Sequence, residues 1–230
     1  VERLVSVIMP TRERPEQALR CIERLLQTSV GYDVEAIVVA DGDDTTGDVI
    51  ARAGVARVIM PPERLSAPRC WNLGAAAATG DVLVLAADDL WWFHGWIGEM
   101  TEWMAAFPNG DGMIGFNDLA QDGNKLATHY AVSRRFAVEQ FGGVLVCPQY
   151  RHYFIDNEAT ARGMRAGRYR WAQNSVVEHR HPAWRKAKSD GLYASRAPLM
   201  AEDQAMFQRR RAAGFPDDFE AVIMMRSEDN

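Results

Sequence analysis

Cysteine is scarce. Cys21, Cys70 and Cys147 are the only three in 230 residues and lie far apart, which excludes a disulfide framework and a paired-cysteine metal site and predicts unpaired thiols in a reducing, cytoplasmic setting. No apolar run is long enough to cross a bilayer and no charged-then-apolar leader precedes Leu4, so neither membrane insertion nor secretion is expected. A basic excess is missing as well. The formal net charge of -5 argues against a nucleic-acid partner, and the clusters Arg185-Lys186-Ala187-Lys188 and Arg209-Arg210-Arg211 read as solvated surface. There is no internal repeat, no low-complexity tract, no GxGxxG and no GxxxxGKS/T; neither the dinucleotide fingerprint nor the phosphate-cradling loop accounts for the chemistry.

What is present is enough apolar residue, 47%, to bury a substantial core. In the first half, strand-like and helix-like segments alternate, which predicts an α/β fold with a parallel sheet covered by helices. Leu4 to Met9 is the first expected strand, stopped by Pro10, and Pro15 opens a helix with Ala18, Ile22, Leu25 and Leu26 at helical spacing. Strands are expected at Val34 to Ala40, Val55 to Met60, Val82 to Ala87 and Gly112 to Phe116, and helices at Ser66 to Thr79 and Trp91 to Phe107. Beyond Asp118 the alternation fades into a hairpin strand (Lys125 to Val132), a helix (Ala159 to Ala166), a strand (Ser175 to His181) and an Arg-rich helix (Pro198 to Ala213). The expected organisation is a single domain over 1–230, divided after residue 118 where the regular alternation ends.

Chemistry is expected where buried parallel strands end. Asp88 and Asp89 close the run Val82-Leu83-Val84-Leu85-Ala86-Ala87, and two adjacent carboxylates there call for a divalent cation that also carries phosphates, or for a helix cap at Asp89. Thr11, Arg12, Glu13 and Arg14 follow the first strand at the same edge, suited to gripping a nucleotide. Asp41, ending the second strand, suits a base or ribose, or a turn. His179 and His181, two apart, fall on one face of a strand, and imidazoles beside carboxylates suit Mn²⁺. Asp156 and Glu158 precede a helix; either is a candidate base for an attacking hydroxyl, or a helix cap. Of the tryptophans, most are expected in the core and one or two at a pocket wall.

Taken together, Val5-Ser6-Val7-Ile8-Met9-Pro10-Thr11-Arg12, Val38-Val39-Ala40-Asp41-Gly42, Asn72-Leu73-Gly74 and the strand into Asp88-Asp89 resemble the family 2 glycosyltransferases, inverting enzymes of the GT-A fold. The resemblance implies a mostly parallel Rossmann-like sheet flanked by helices, with a smaller mixed acceptor-side region. It implies a nucleotide-sugar donor, expected to be UDP-linked, held by Pro10, Thr11, Arg12, Arg14, Asp41, Arg69, Asn72 and Asp88. A Mn²⁺ or Mg²⁺ cofactor on Asp88, Asp89, His179 and His181 and a catalytic base at Asp156 or Glu158 are implied too. The acceptor would offer a hydroxyl on a glycan, a lipid-linked sugar, a protein or a small molecule. One departure stands out: the family's DxD would place an acid at Ala86. A sugar nucleotidyltransferase and a non-catalytic carbohydrate- or protein-binding domain are the alternatives.

Overall fold

A computed structural model of the chain describes residues 3–225. They form an eight-stranded sheet in the order β3-β2-β1-β4-β7-β6-β8-β5. β1 (Val5–Thr11), β2 (Val34–Ala40), β3 (Arg57–Ile59) and β4 (Val82–Leu85) pair in parallel. β7 (Tyr130–Ser133) is antiparallel to β4 and to β6 (Met113–Asn117), which pairs in parallel with β8 (Tyr169–His179). The α/β expectation holds, with the parallel half first and the mixed half after it.

The crossovers put helices on both faces, and the strand residues sort by parity. Val5, Val7 and Met9 of β1 and Val82 and Val84 of β4 join one core cluster with the buried stripe Ala18, Cys21, Ile22 and Leu25 of α1 (Pro15–Thr28). Ile8, Leu83 and Leu85 point the other way, onto Trp71 and Ala75 of α3 (Ala67–Ala77). The close approach of α3 to β1 depends on Gly74, where a Cβ would lie 2.4 Å from Ile8 Cγ2. Gly74→Ala gains about 1 kcal/mol of helix propensity, but overpacking costs about 1–3 kcal/mol. Urea unfolding should therefore show a net loss of up to about 2 kcal/mol, and a net gain near 1 kcal/mol would refute this contact.

Two sequence expectations need correction. Pro10 does not stop β1, which continues to Thr11 in register with Ala40. Ile8 O accepts from Ala86 N, so two residues on, Pro10 also faces the β4 side, beyond the last β1–β4 pair of Ile8 with Leu85. Its missing N–H costs no ladder bond there. Second, the segment after Asp89 is not one helix. Leu90–Trp92 is a strand, β5, antiparallel to β8, and the helix α4 (Trp96–Ala105) begins only after Gly95 at φ 87°.

The apolar segment around Val222 and Ile223 is anchored. Val222 and Ile223 donate backbone N–H groups to Gly143 O at 2.8 and 2.7 Å, and Ile223 is buried. Arg210 is also not solvated surface. It lies on α8 (Leu199–Ala212) at 3% exposure, bidentate with Glu158. All three cysteines are free and buried. Among the described residues no helix is long and apolar enough to cross a membrane.

Candidate active site

The C-terminal ends of β1, β2 and β4 open onto a cleft of about 1440 Å³. Arg14 stands just before Pro15, which disfavours the helical region for it; at φ -137° and ψ 51° it remains outside α1. Its guanidinium reaches Asp88 Oδ1 at 3.2 Å, and Gln17 Nε2 donates to the same oxygen at 3.1 Å. Thr11 Oγ1 donates to Asp88 Oδ2 at 2.8 Å. The other side of Arg14 is taken by Asp190, which caps α7 (Gly191–Arg196), and by the ring of Tyr193, 4.2 Å away.

Asp89 is turned toward the second half. Its Oδ2 accepts from Tyr193 Oη at 2.9 Å and faces His179 Nε2 at 3.3 Å. The β5–β8 pairing, Leu90 opposite His179, makes this contact. His181 lies just past the strand with its ring 5.0 Å from that of His179, and its Nδ1 accepts from Ala183 N. His129 packs on the other edge of His179, ring centroids 4.7 Å apart. Burial, with Asp89 alongside, pushes the Asp88 carboxyl up to about 6 despite Arg14. Burial would push Asp89 the same way, but hydrogen bonding and charge from His179, the charge of His129 and the Tyr193 hydroxyl hold it well below the usual carboxylate range. The His179 imidazole is raised in turn: burial opposes its charge, and Asp89 outweighs burial.

Pro10, Arg12, Asp41 and Arg69 line the same cleft. Arg12 Nη1 donates to Asp41 O at 2.8 Å, and Asp41 Oδ1 accepts from Leu65 N at 2.5 Å. Asp156 lines the cleft as well, the second residue of α6 (Ile155–Arg165). It is no helix cap: the cap position is Phe154, and Asp156 Oδ1 accepts from the adjacent Asn157 N. Burial pushes its carboxyl up to about 6. Trp71 and Trp184 supply the indole walls, whereas Trp92 and Trp96 pack against each other in the core, tilted with centroids 4.5 Å apart.

Two expected site residues are not at the cleft. Asn72 is buried, with its side chain accepting from Leu145 N and Val146 N and donating to Val146 O; it ties α3 to the 145–146 segment. Glu158 is 2% exposed, with Arg210 on both oxygens and Tyr150 Oη on Oε2. Two residues apart on a helix are about 200° apart in direction, so Asp156 and Glu158 cannot share a face. Sequence reasoning missed His129, Asp190 and Tyr193, which belong to no motif. The only hint was that a chain with five histidines places several of them near the paired carboxylates.

Two donors at the carboxylate pair remain open to a divalent cation. Asp89 Oδ1 and His179 Nδ1 are buried without a protein hydrogen-bond partner, and buried polar atoms of that kind want a ligand. Among the described residues no three His, Cys, Asp or Glu side chains form a ready metal cage. Mg²⁺-type sites commonly rely on one or two carboxylates and complete their shell with substrate phosphates.

A family model described as Glycosyl transferase family 2 matches residues 6–190. No curated protein matches the chain. Among solved structures, the mannosyltransferase PcManGT from Pyrobaculum calidifontis, in complex with GDP-Man and Mn²⁺, superposes with a TM-score of 0.70 at 18% identity, over 96% of this chain and 66% of that one. This chain thus spans just under two thirds of that protein's length. A mycobacterial protein gives a TM-score of 0.58 at 18% identity, over 78% of this chain and 68% of that one.

Proposed function

The chain belongs to glycosyl transferase family 2 and has the GT-A fold, and on that premise we propose that it moves a sugar from a nucleoside diphosphate sugar to an acceptor hydroxyl with inversion. The observation that carries this is the convergence of Thr11, Arg12, Asp41, Asp88 and Asp89 with His179 and His181 on one cleft that Asp156 also lines.

In this reading Asp41 and the backbone around Leu65 receive the base, and Arg12, Arg14 and Arg69 meet the diphosphate. Asp88 and Asp89, with His179 and His181, would hold Mn²⁺ or Mg²⁺, which when bound supplies positive charge opposite the departing diphosphate. Asp156 takes the proton from the acceptor hydroxyl as that oxygen attacks the anomeric carbon from the face opposite the leaving group. A carboxyl raised by burial suits a base working near neutral pH. The acid missing at Ala86 does not leave a gap at the edge: Ala86 is fully buried in the core beside Met9, Cys21 and Trp92.

Uridine diphosphate is the expected carrier, and the mannosyltransferase complexed with GDP-Man makes guanosine diphosphate the alternative to test. A panel of UDP and GDP sugars, read by released nucleoside diphosphate, decides between them; release of pyrophosphate instead would mark a nucleotidyltransferase. A saturating nucleoside diphosphate with Mn²⁺ should raise the melting temperature, since a ligand at 100 times its Kd adds about 2.7 kcal/mol. EDTA and Asp89→Asn should each remove most of that shift. No diphosphate release and no shift with any nucleotide would leave a non-catalytic binding domain.

A further inference from the structure

One wall of the cleft is a single stretch of chain: every residue from 148 to 157 lines it. Most of it has no regular secondary structure, so its backbone N–H groups need partners from elsewhere. α8 supplies them. The carboxylate of Asp203, 1% exposed, accepts from three successive backbone N–H groups, Arg151 at 2.8 Å, His152 at 2.8 Å and Tyr153 at 2.7 Å. Successive N–H groups aimed at one anion are an arrangement the backbone otherwise uses to bind phosphates; here the anion is the protein's own.

Two further contacts lie on the same helix face. Phe207, four residues on, stacks against Phe154 with centroids 5.4 Å apart and planes at 24°. Arg210, three further, holds Glu158 and donates to Gln149 Oε1 at 2.9 Å. Positions 203, 207 and 210 form one stripe of an α-helix. Phe154 sits between the clamped segment and α6 at φ 64°, a left-handed conformation that a bulky residue keeps only when its surroundings enforce it. Asp156 follows two residues later. The matched family segment ends at residue 190, so α8 lies outside it while the segment it clamps lies inside.

We infer that Asp203 is a positioning residue, which fixes the 151–153 backbone and through Phe154 sets where Asp156 stands relative to the donor and acceptor. This rests on the assignment of Asp156 as the base. Removing the carboxylate frees three N–H groups together, and the wall relaxes toward solvent while β1, β2 and β4 keep their nucleotide contacts.

The test is a double-mutant cycle on the full chain. Asp203→Ala and Asp203→Asn are made alone and on an Asp156→Asn background, with the donor that the wild type turns over. Asp203→Ala should lower kcat about 10–100-fold, the scale of a misplacement near 1 Å, with the donor KM and the Kd for free nucleoside diphosphate within about twofold of wild type. Asp203→Asn, which keeps one acceptor oxygen, should fall between and carries the comparison should the alanine variant not fold. On the Asp156→Asn background the Asp203 effect should nearly vanish, because a residue acting through Asp156 has nothing left to position. Effects that multiply, a parallel loss of nucleotide affinity, or wild-type kcat in a variant whose 150–154 amides exchange faster would each overturn the inference. Wild-type turnover in Asp156→Asn alone would instead remove the base assignment, so the two failures are told apart.

Discussion

Asp156→Asn is expected to lower turnover roughly 10²–10⁴-fold, the usual contribution of a positioned general base, while nucleoside diphosphate affinity stays within about twofold. The same substitution is expected to make the fold more stable at pH 8. Burial holds the Asp156 carboxyl at about 6, with His179 favouring its charge and Asp118 opposing it, against about 3.9 in an unfolded chain. Between those values the folded chain keeps a proton that the unfolded chain has released, so stability falls as pH rises from about 4 to about 6 and is level above. The neutral amide escapes this loss. Discounted for the partial exposure of the group, the gain at pH 8 is about 1–2 kcal/mol, and it should shrink toward zero at pH 4. Urea unfolding at the two pH values measures it. A variant that is slower and more stable marks a residue kept for chemistry rather than for folding; retained turnover, or a loss of stability at pH 8, would refute the assignment.

Arg210→Met should have the largest effect on stability of any single change on α8. The guanidinium donates to both Glu158 oxygens at 2.8 and 3.0 Å, to Gln149 Oε1, to Asp218 Oδ1 and to Pro216 O. Its removal strands a carboxylate that is 2% exposed, and breaking a buried pair from one side costs about 3–5 kcal/mol. Replacing both partners, Arg210→Met with Glu158→Leu, should recover a good part of that, because two apolar side chains leave no charge unpaired. A single-variant cost below about 1 kcal/mol would show the pair to be wet and weak. Tyr150 Oη, which donates to Glu158 at 2.8 Å, sets a limit on the recovery.

The parallel half could be read from sequence because its strands are buried on both faces and appear as apolar runs, unbroken at Val82–Leu85. β5 could not. Trp91 and Trp92 suit a helix as well as a strand, and the choice is made by pairing with Val177 to His179, far away in sequence. The same limit applies at the site. Which of Asp156 and Glu158 faces the cleft depends on the phase of α6, and that is set by Arg210 and Tyr150 drawing Glu158 inward. Arg209-Arg210-Arg211 looks like solvated charge until the acids that pair with Arg210 arrive from α6 and from the segment after α8. Asn72 resembled a ligand contact by motif, yet its amide is engaged by the 145–146 backbone. Paired carboxylates at a strand end were readable; their neighbours Tyr193, Asp190 and His129 were not, since each reaches them through tertiary packing alone.

The pairing of β5 with β8 has a consequence for how the protein matures. His179 stands beside Asp89 only after a segment ninety positions later in the chain has crossed back to lie next to Leu90. Contacts so distant in sequence form slowly and late. A chain emerging from the ribosome presents its acidic pair long before its imidazoles, so the parallel strands can assemble while the proposed site is still incomplete. Joining the two is then a late act of folding, and a product truncated before β8 would carry the acids without their imidazole neighbours.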